Sequence, residues 1–172
     1  MGDILNRFYE DDSEANEIIE QSEKYLSFLL DKQYYAFHIN DVREIIEMPE
    51  ITPVPEFPDY AKGIINLRGV LIPVIDVRLR FCKVEAEYNE RTCIIILNIK
   101  ETLVGFIVDT VDEVLDIDKS DISGVPKLAD SSTRKFITGV GKTASKIVML
   151  LNAQKMLNEE EIMSLDIDGE EE

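Results

Sequence analysis

One histidine, two cysteines and thirty-five carboxylates carry most of the reactive chemistry in this chain of 172 residues, and their spacing gives them little to do. His38 stands between Phe37 and Ile39 in a strand-like run, and no Ser or Cys pattern accompanies it to make a nucleophile–base pair. Gly139-Val140-Gly141-Lys142-Thr143 ends like a phosphate-binding loop, but Phe136 occupies the place of that loop's first glycine. Ile147–Leu151 then reads as strand, so no helix amino terminus faces a phosphate. Asp116, Asp118 and Asp121 suggest a calcium loop, yet Asp121 and Lys127 stand where the sixth-position glycine and twelfth-position glutamate belong. Cys82 and Cys93 have no metal spacing and are too few for a disulfide framework. Glu44 and Glu113 could pose as a carboxylate pair, but their neighbours are apolar strand residues rather than a polar pocket. The expectation is a protein without catalytic residues, cofactor or metal.

Arg68 is different in kind. It lies in Asn66-Leu67-Arg68-Gly69, between two apolar runs, where Gly69 suits a turn position of positive φ. An arginine on a rigid turn is suited to paired contacts with carboxylate or carbonyl oxygens, and arginine is over-represented at binding hot spots. On these residues alone a surface ion pair within the domain is the equal alternative.

Charge narrows the partners. The net charge is −17, concentrated in residues 1–23 at −7 and 159–172 at −8, with −2 between them. Nucleic-acid binding needs a basic face, and none is in excess here. The acidic ends would be repelled by phosphate and by anionic lipid. No apolar stretch approaches the roughly 18 residues of a membrane span, and no secretory signal precedes the first strands. The chain is expected to be cytoplasmic, with an acidic mobile segment over 1–22, a body over 23–158 and an acidic tail over 159–172.

The elements that position Arg68 are short strands. Tyr25–Leu30 and Tyr34–Ile39 flank a turn at Asp31-Lys32-Gln33, and Val42–Ile46 follows. Pro49, Pro53, Pro55 and Pro58 mark a stiff extended connection. Tyr60–Ile64 is expected as a short helix ending at Gly63. Val70–Val77 is a strand, with Pro73 at an edge or bulge. Thr92–Ile99, Leu103–Val108, Val111–Ile117, Phe136–Val140 and Ile147–Leu151 continue the pattern, and Asn152–Met163 is expected as a carboxy-terminal helix. Many short strands with little helix indicate small barrels or sandwiches.

The halves also repeat. At an offset of 69, Phe37 meets Phe106, Ile39 meets Val108, Val42 meets Val111, Glu44 meets Glu113 and Ile45 meets Val114. At an offset of 76, Gly63 meets Gly139, Leu71 meets Ile147, Ile75 meets Leu151 and Asp76 meets Asn152. Each unit is too small to bury a core alone. The two copies should pack on one another, with equivalent residues flanking a junction groove.

Lys62-Gly63-Ile64-Ile65-Asn66-Leu67-Arg68-Gly69-Val70-Leu71-Ile72-Pro73-Val74-Ile75-Asp76-Val77-Arg78 closely resembles the hallmark run of the CheW family. Gly105-Phe106-Ile107-Val108-Asp109, with Val111 and Val114, is similar to the family's second block. Tyr34 to Glu47 and Pro49 to Pro58 also fit, so the resemblance spans about residues 22–165. It implies two five-stranded SH3-like β-barrels around a shared hydrophobic core, mainly β with short helices.

It also implies a non-catalytic scaffold coupling transmembrane chemoreceptors to the histidine kinase CheA, at receptor arrays on the inner face of the cytoplasmic membrane. No receiver, phosphotransfer or ATP-binding segment accompanies it, which favours the stand-alone adaptor. A related module of a non-chemotactic system such as twitching motility is the alternative. By the resemblance, the receptor's helical hairpin tip would contact Val42, Glu44, Ile45, Arg68, Val108, Val111 and Val114. The kinase's regulatory domain would contact the barrel tips near Phe81, Lys83, Val84 and Glu85. Neither nucleic acid nor membrane insertion is implied.

Overall fold

The computed structural model describes residues 22–125 and 133–165. Of the segment 1–22 expected to be mobile, residues 1–21 lie outside the described residues and Ser22 begins a strand, and the end of the acidic tail, 166–172, also lies outside them. The strands are β1 (Ser22–Leu30), β2 (Gln33–His38), β3 (Val42–Glu47), β4 (Ala61–Leu67), β5 (Val70–Asp76), β6 (Cys93–Ile99), β7 (Thr102–Val108), β8 (Thr110–Asp118), β9 (Ile122–Ser123), β10 (Ile137–Lys142) and β11 (Ile147–Leu151). Among the described residues, short α-helix α1 (Val77–Arg80) follows β5, and α2 (Ala153–Met156) and α3 (Glu159–Ser164) follow β11.

β-branched residues fill these strands, and their period of two sends alternate side chains to opposite faces. One sheet runs β8-β1-β2-β11-β10-β9, the other β3-β6-β7-β5-β4. Each is drawn round on itself by one bent segment. In the first barrel, β8 pairs with β1 and the chain continues into β9, which pairs with β10. In the second, β3 pairs with β6 and the chain continues to Thr52, which bridges Ile64 of β4.

Gly63 makes the second closure possible. A Cβ there would lie 2.1 Å from the Thr52 carbonyl oxygen, and its φ is +145°, a backbone region that side chains rarely enter. This glycine therefore does not end a helix. The expected helix over Tyr60–Ile64 is instead the start of strand β4, because Ile64 and Ile65 pair across to Pro73 and Ile72. Pro73 sits beyond the parallel β5–β7 ladder, which begins at Val74, so at that residue β5 is flanked by β4 alone. The single carboxy-terminal helix is likewise two. Leu157 is extended, and Asn158 starts α3 with a capping box to Glu161. The expected boundary at 158 thus falls between α2 and α3, and the chain stays packed through Leu165, which is buried.

The internal repeat is visible in the register. The parallel pairs Leu150↔Ala36 and Leu151↔Phe37 in one sheet match Val74↔Gly105 and Ile75↔Phe106 in the other. Asp31-Lys32 and Lys100-Glu101 both turn at positive φ, as two-residue hairpins require. The repeat unit and the barrel nevertheless do not coincide. β1 and β2 join β8, β10 and β11, while β3, β4 and β5 join β6 and β7. The copies exchange strands instead of packing as separate units.

Three apolar clusters result. Tyr25, Ala36, Leu115, Ile117, Val148 and Leu150 fill the first barrel. Ile65, Ile72, Val74, Ile94, Ile96 and Ile107 fill the second. Leu26, Phe28, Phe37, Ile75, Ile95, Leu97 and Phe106 belong to the largest cluster, which joins the barrels. The repeat-matched Phe37 and Phe106 meet there, with ring centroids 5.8 Å apart. Burying each such ring stabilises the joint by about 2–3 kcal/mol.

Candidate protein-docking site

Strand β3 alternates between core and surface. Val42 and Ile45 point inward, Arg43 is exposed and Glu44 is half-buried. A bulge between Val42 and Glu44 in its pairing with β6 turns the acid outward. β8 repeats the device, with a register shift opposite Leu26 and Phe28 that separates Val111 from Val114 and carries Asp112 and Glu113. Val42, Ile45 and Val108 are buried in the shared core, with Val111 and Val114 half-buried against it. The five aliphatic residues expected at a receptor site are thus in one cluster. Val111 and Val114 keep accessible surface, whereas Val42, Ile45 and Val108 form the floor beneath.

Arg68 stands at the β4–β5 turn with φ +52°. Its Nη2 donates to Glu44 Oε1 at 2.5 Å, with the arginine side chain 69% exposed and the glutamate 28%. The hydrogen bond to Glu44, then its charge, pushes the guanidinium above its ordinary pKa. Asn66 Oδ1 accepts the Gly69 N–H at 2.8 Å, fixing the turn. That bond had a signal in the sequence, an asparagine three residues before a turn glycine.

The residues expected at the kinase contact separate. Phe81 lies in the core against Tyr35 and Phe136, with centroids 5.4 Å from each, which removes it as a surface contact. An apolar residue next to Cys82 gives no sequence sign that it turns inward. Lys83 is half-buried, Val84 is 83% exposed and Glu85 pairs with Lys62 at 2.6 Å. The loop that carries them is pinned. Tyr88 donates to buried Asp76 at 2.7 Å, and Arg78 Nη1 donates to the Val84 carbonyl at 3.3 Å. Burial, then the hydrogen bond to Asp76, pushes the Tyr88 phenol far above its ordinary value.

The other reactive groups are engaged structurally. His38 Nε2 meets Glu23 Oε1 at 2.6 Å, and its Nδ1 accepts the Asn40 N–H. Asp116 pairs with Lys24. Gly139 and Gly141 are strand residues in β10. Among the described residues, no cluster of three His, Cys, Asp or Glu is placed to hold a metal ion, and no helix is long and apolar enough to cross a membrane.

Known proteins resemble this chain over most of its length. The chain is 33% identical over 144 residues to the chemotaxis protein CheW of Klebsiella aerogenes, covering 84% of this chain and 87% of that one. It is 32% identical over 146 residues to the chemotaxis protein CheW of Bacillus subtilis, covering 85% and 94%. The crystal structure of the scaffolding protein TtCheW from Thermoanaerobacter tengcongensis superposes with a TM-score of 0.73 at 36% identity, covering 78% of this chain and 92% of that one. The fold is accordingly mainly β, a pair of SH3-like barrels. The family model for the CheW-like domain matches residues 24–161, and the chain belongs to that family.

Proposed function

We propose that this chain is a non-catalytic scaffold of bacterial chemotaxis that couples transmembrane chemoreceptors to a histidine kinase at cytoplasmic receptor arrays. The observation that carries the reading is the Arg68–Glu44 pair. It is an exposed polar contact on the same two-barrel fold as scaffolding relatives, and its Glu44 lies on β3 between Val42 and Ile45, which share a cluster with Val111 and Val114. A receptor's helical hairpin tip would lay apolar side chains against Val111 and Val114, above Val42, Ile45 and Val108, while Arg68 and Glu44 set its register. Lys83, Val84 and Glu85, on their pinned loop, are proposed to meet the kinase's regulatory domain. Each contact is modest, and array strength comes from many of them.

A pulldown of the purified chain with a receptor cytoplasmic fragment and the kinase regulatory domain tests this, with Arg68→Glu in parallel. The wild type is expected to bridge the two. The variant should keep the kinase and lose the receptor, because it places two acids side by side. Failure of the wild type to bind either partner moves the function to another receptor system.

A further inference from the structure

The β4–β5 hairpin reverses in two residues, Arg68 at φ 52° and Gly69 at φ 90°, the twist-matched geometry of a tight hairpin. Glycine enters that region freely, and arginine does not. Asn66 holds the turn by accepting the Gly69 N–H across it, while Glu44 takes Nη2 at the other end of the arginine. The arginine is thus held at its backbone by the turn and at its head by one hydrogen bond, with its side chain exposed. Its Nε and Nη1 are left without a hydrogen-bond partner among the described residues.

The matched hairpin of the other barrel is built differently. β10 and β11 are joined over Thr143–Lys146, where Thr143 Oγ1 accepts the Lys146 N–H at 3.1 Å and the Thr143 N–H donates to the Lys146 carbonyl at 2.9 Å. Ala144 stands in the place of Arg68, and none of these four residues is at positive φ.

We propose that Asn66 is a positioning residue for recognition. It locks the turn so that Arg68 presents an N–H that Glu44 does not take, on Nε or Nη1, to a backbone carbonyl or carboxylate of the docked segment. This rests on the receptor-docking reading above.

The test measures binding of the full chain to a receptor cytoplasmic hairpin fragment, and separately to the kinase regulatory domain. The proteins are wild type, Asn66→Ala, Asn66→Asp, Arg68→Ala and the Asn66→Ala/Arg68→Ala double variant. The heteronuclear NOE of the Arg68 Nε–H reports its rigidity wherever Arg68 is present, and melting curves report folding. Asn66→Ala is expected to weaken receptor binding roughly 5- to 10-fold, the worth of one lost hydrogen bond, with kinase binding unchanged and the NOE lowered. Asn66→Asp keeps the acceptor oxygen and should retain most of the affinity and rigidity. In the Arg68→Ala background, Asn66→Ala should cost nothing further. Wild-type receptor affinity in Asn66→Ala, or a full additive loss in the double variant, overturns the assignment while leaving Arg68's role intact. Normal receptor binding by Arg68→Ala would instead sink the docking reading and the positioning role with it.

Discussion

Glu44 and Glu113 occupy the same place in the two copies of the repeat, yet their partners differ. Arg68 meets Glu44 at the surface. Lys146 meets Glu113 at 2.8 Å, also binds Asp112, and lies 4.5 Å from the Tyr34 ring centroid with its side chain 11% exposed. Asp112 in turn accepts from the buried hydroxyl of Ser27 at 3.0 Å. Desolvation pulls the Lys146 pKa down, but its hydrogen bonds to Asp112 and Glu113 outweigh that and hold it raised. One barrel thus uses its ion pair as a clamp across β8 and the β10–β11 turn, while the other leaves its pair where a partner can reach it. Duplication supplied two equivalent acids, and only the one at Glu44 has an exposed cation as its partner.

Closing the two barrels gives the sharpest contrast. Gly63→Ala should destabilise on the order of 4 kcal/mol or prevent folding, since its Cβ would collide with the Thr52 backbone. Gly139→Ala, whose Cβ would meet Ile122 Cγ2 at 3.0 Å and the Ser123 carbonyl oxygen at 3.1 Å, should cost about 1 kcal/mol. Urea denaturation of both variants checks this, and equal losses would mean the closures are equally tight.

Clamp and presented pair should separate next. Lys146→Ala strands Asp112 and uncovers Tyr34, so a loss of about 2 kcal/mol is expected, roughly 5 °C in Tm, with receptor binding kept. Arg68→Ala should do the reverse, leaving Tm in place and weakening receptor binding measurably. Calorimetry beside a binding assay decides, and a binding defect in Lys146→Ala would erase the distinction.

A smaller asymmetry lies at Asp109, whose repeat counterpart is Asn40. Arg78 donates to it twice, at 2.9 and 2.6 Å, and the Asp31 N–H once. Burial raises this carboxyl's pKa, but the Arg78 hydrogen bonds and the Asp31 amide more than offset that and hold it below the usual value. A depressed folded pKa stabilises above the unfolded carboxylate value and is lost as pH falls through the folded one. The wild type should therefore lose about 1 kcal/mol as pH drops below about 4. Asp109→Asn should show a shallower acid limb in stability measured from pH 6 to pH 2.5.

Much of this was legible because hairpins are local. Alternation and turn residues place β1–β2 and β6–β7, and the offset of 69 pairs Glu44 with Glu113 before any coordinates. Gly63 misled because a glycine after Tyr60-Ala61-Lys62 also reads as a helix end, and the Thr52 carbonyl that demands it is eleven residues away. Leu157 and Asn158 interrupt a helical spacing that looks continuous in Met156, Leu157, Ile162 and Met163. Which strand of one copy lies beside which strand of the other has no local signature, so the exchange between halves was out of reach. So was Lys146 as the clamp on Glu113, thirty-three residues away.

That exchange governs how the chain is born. A ribosome extrudes β1 to β5 before β6, β7 or β8 exists, so two separate hairpins must wait in the exit region with open edges. Neither barrel can be completed during synthesis of the first half, and both close only when the second half arrives. A chain severed in the Cys82–Thr92 loop yields two fragments that each lack strands for either barrel. Such halves should recover structure only when they are mixed.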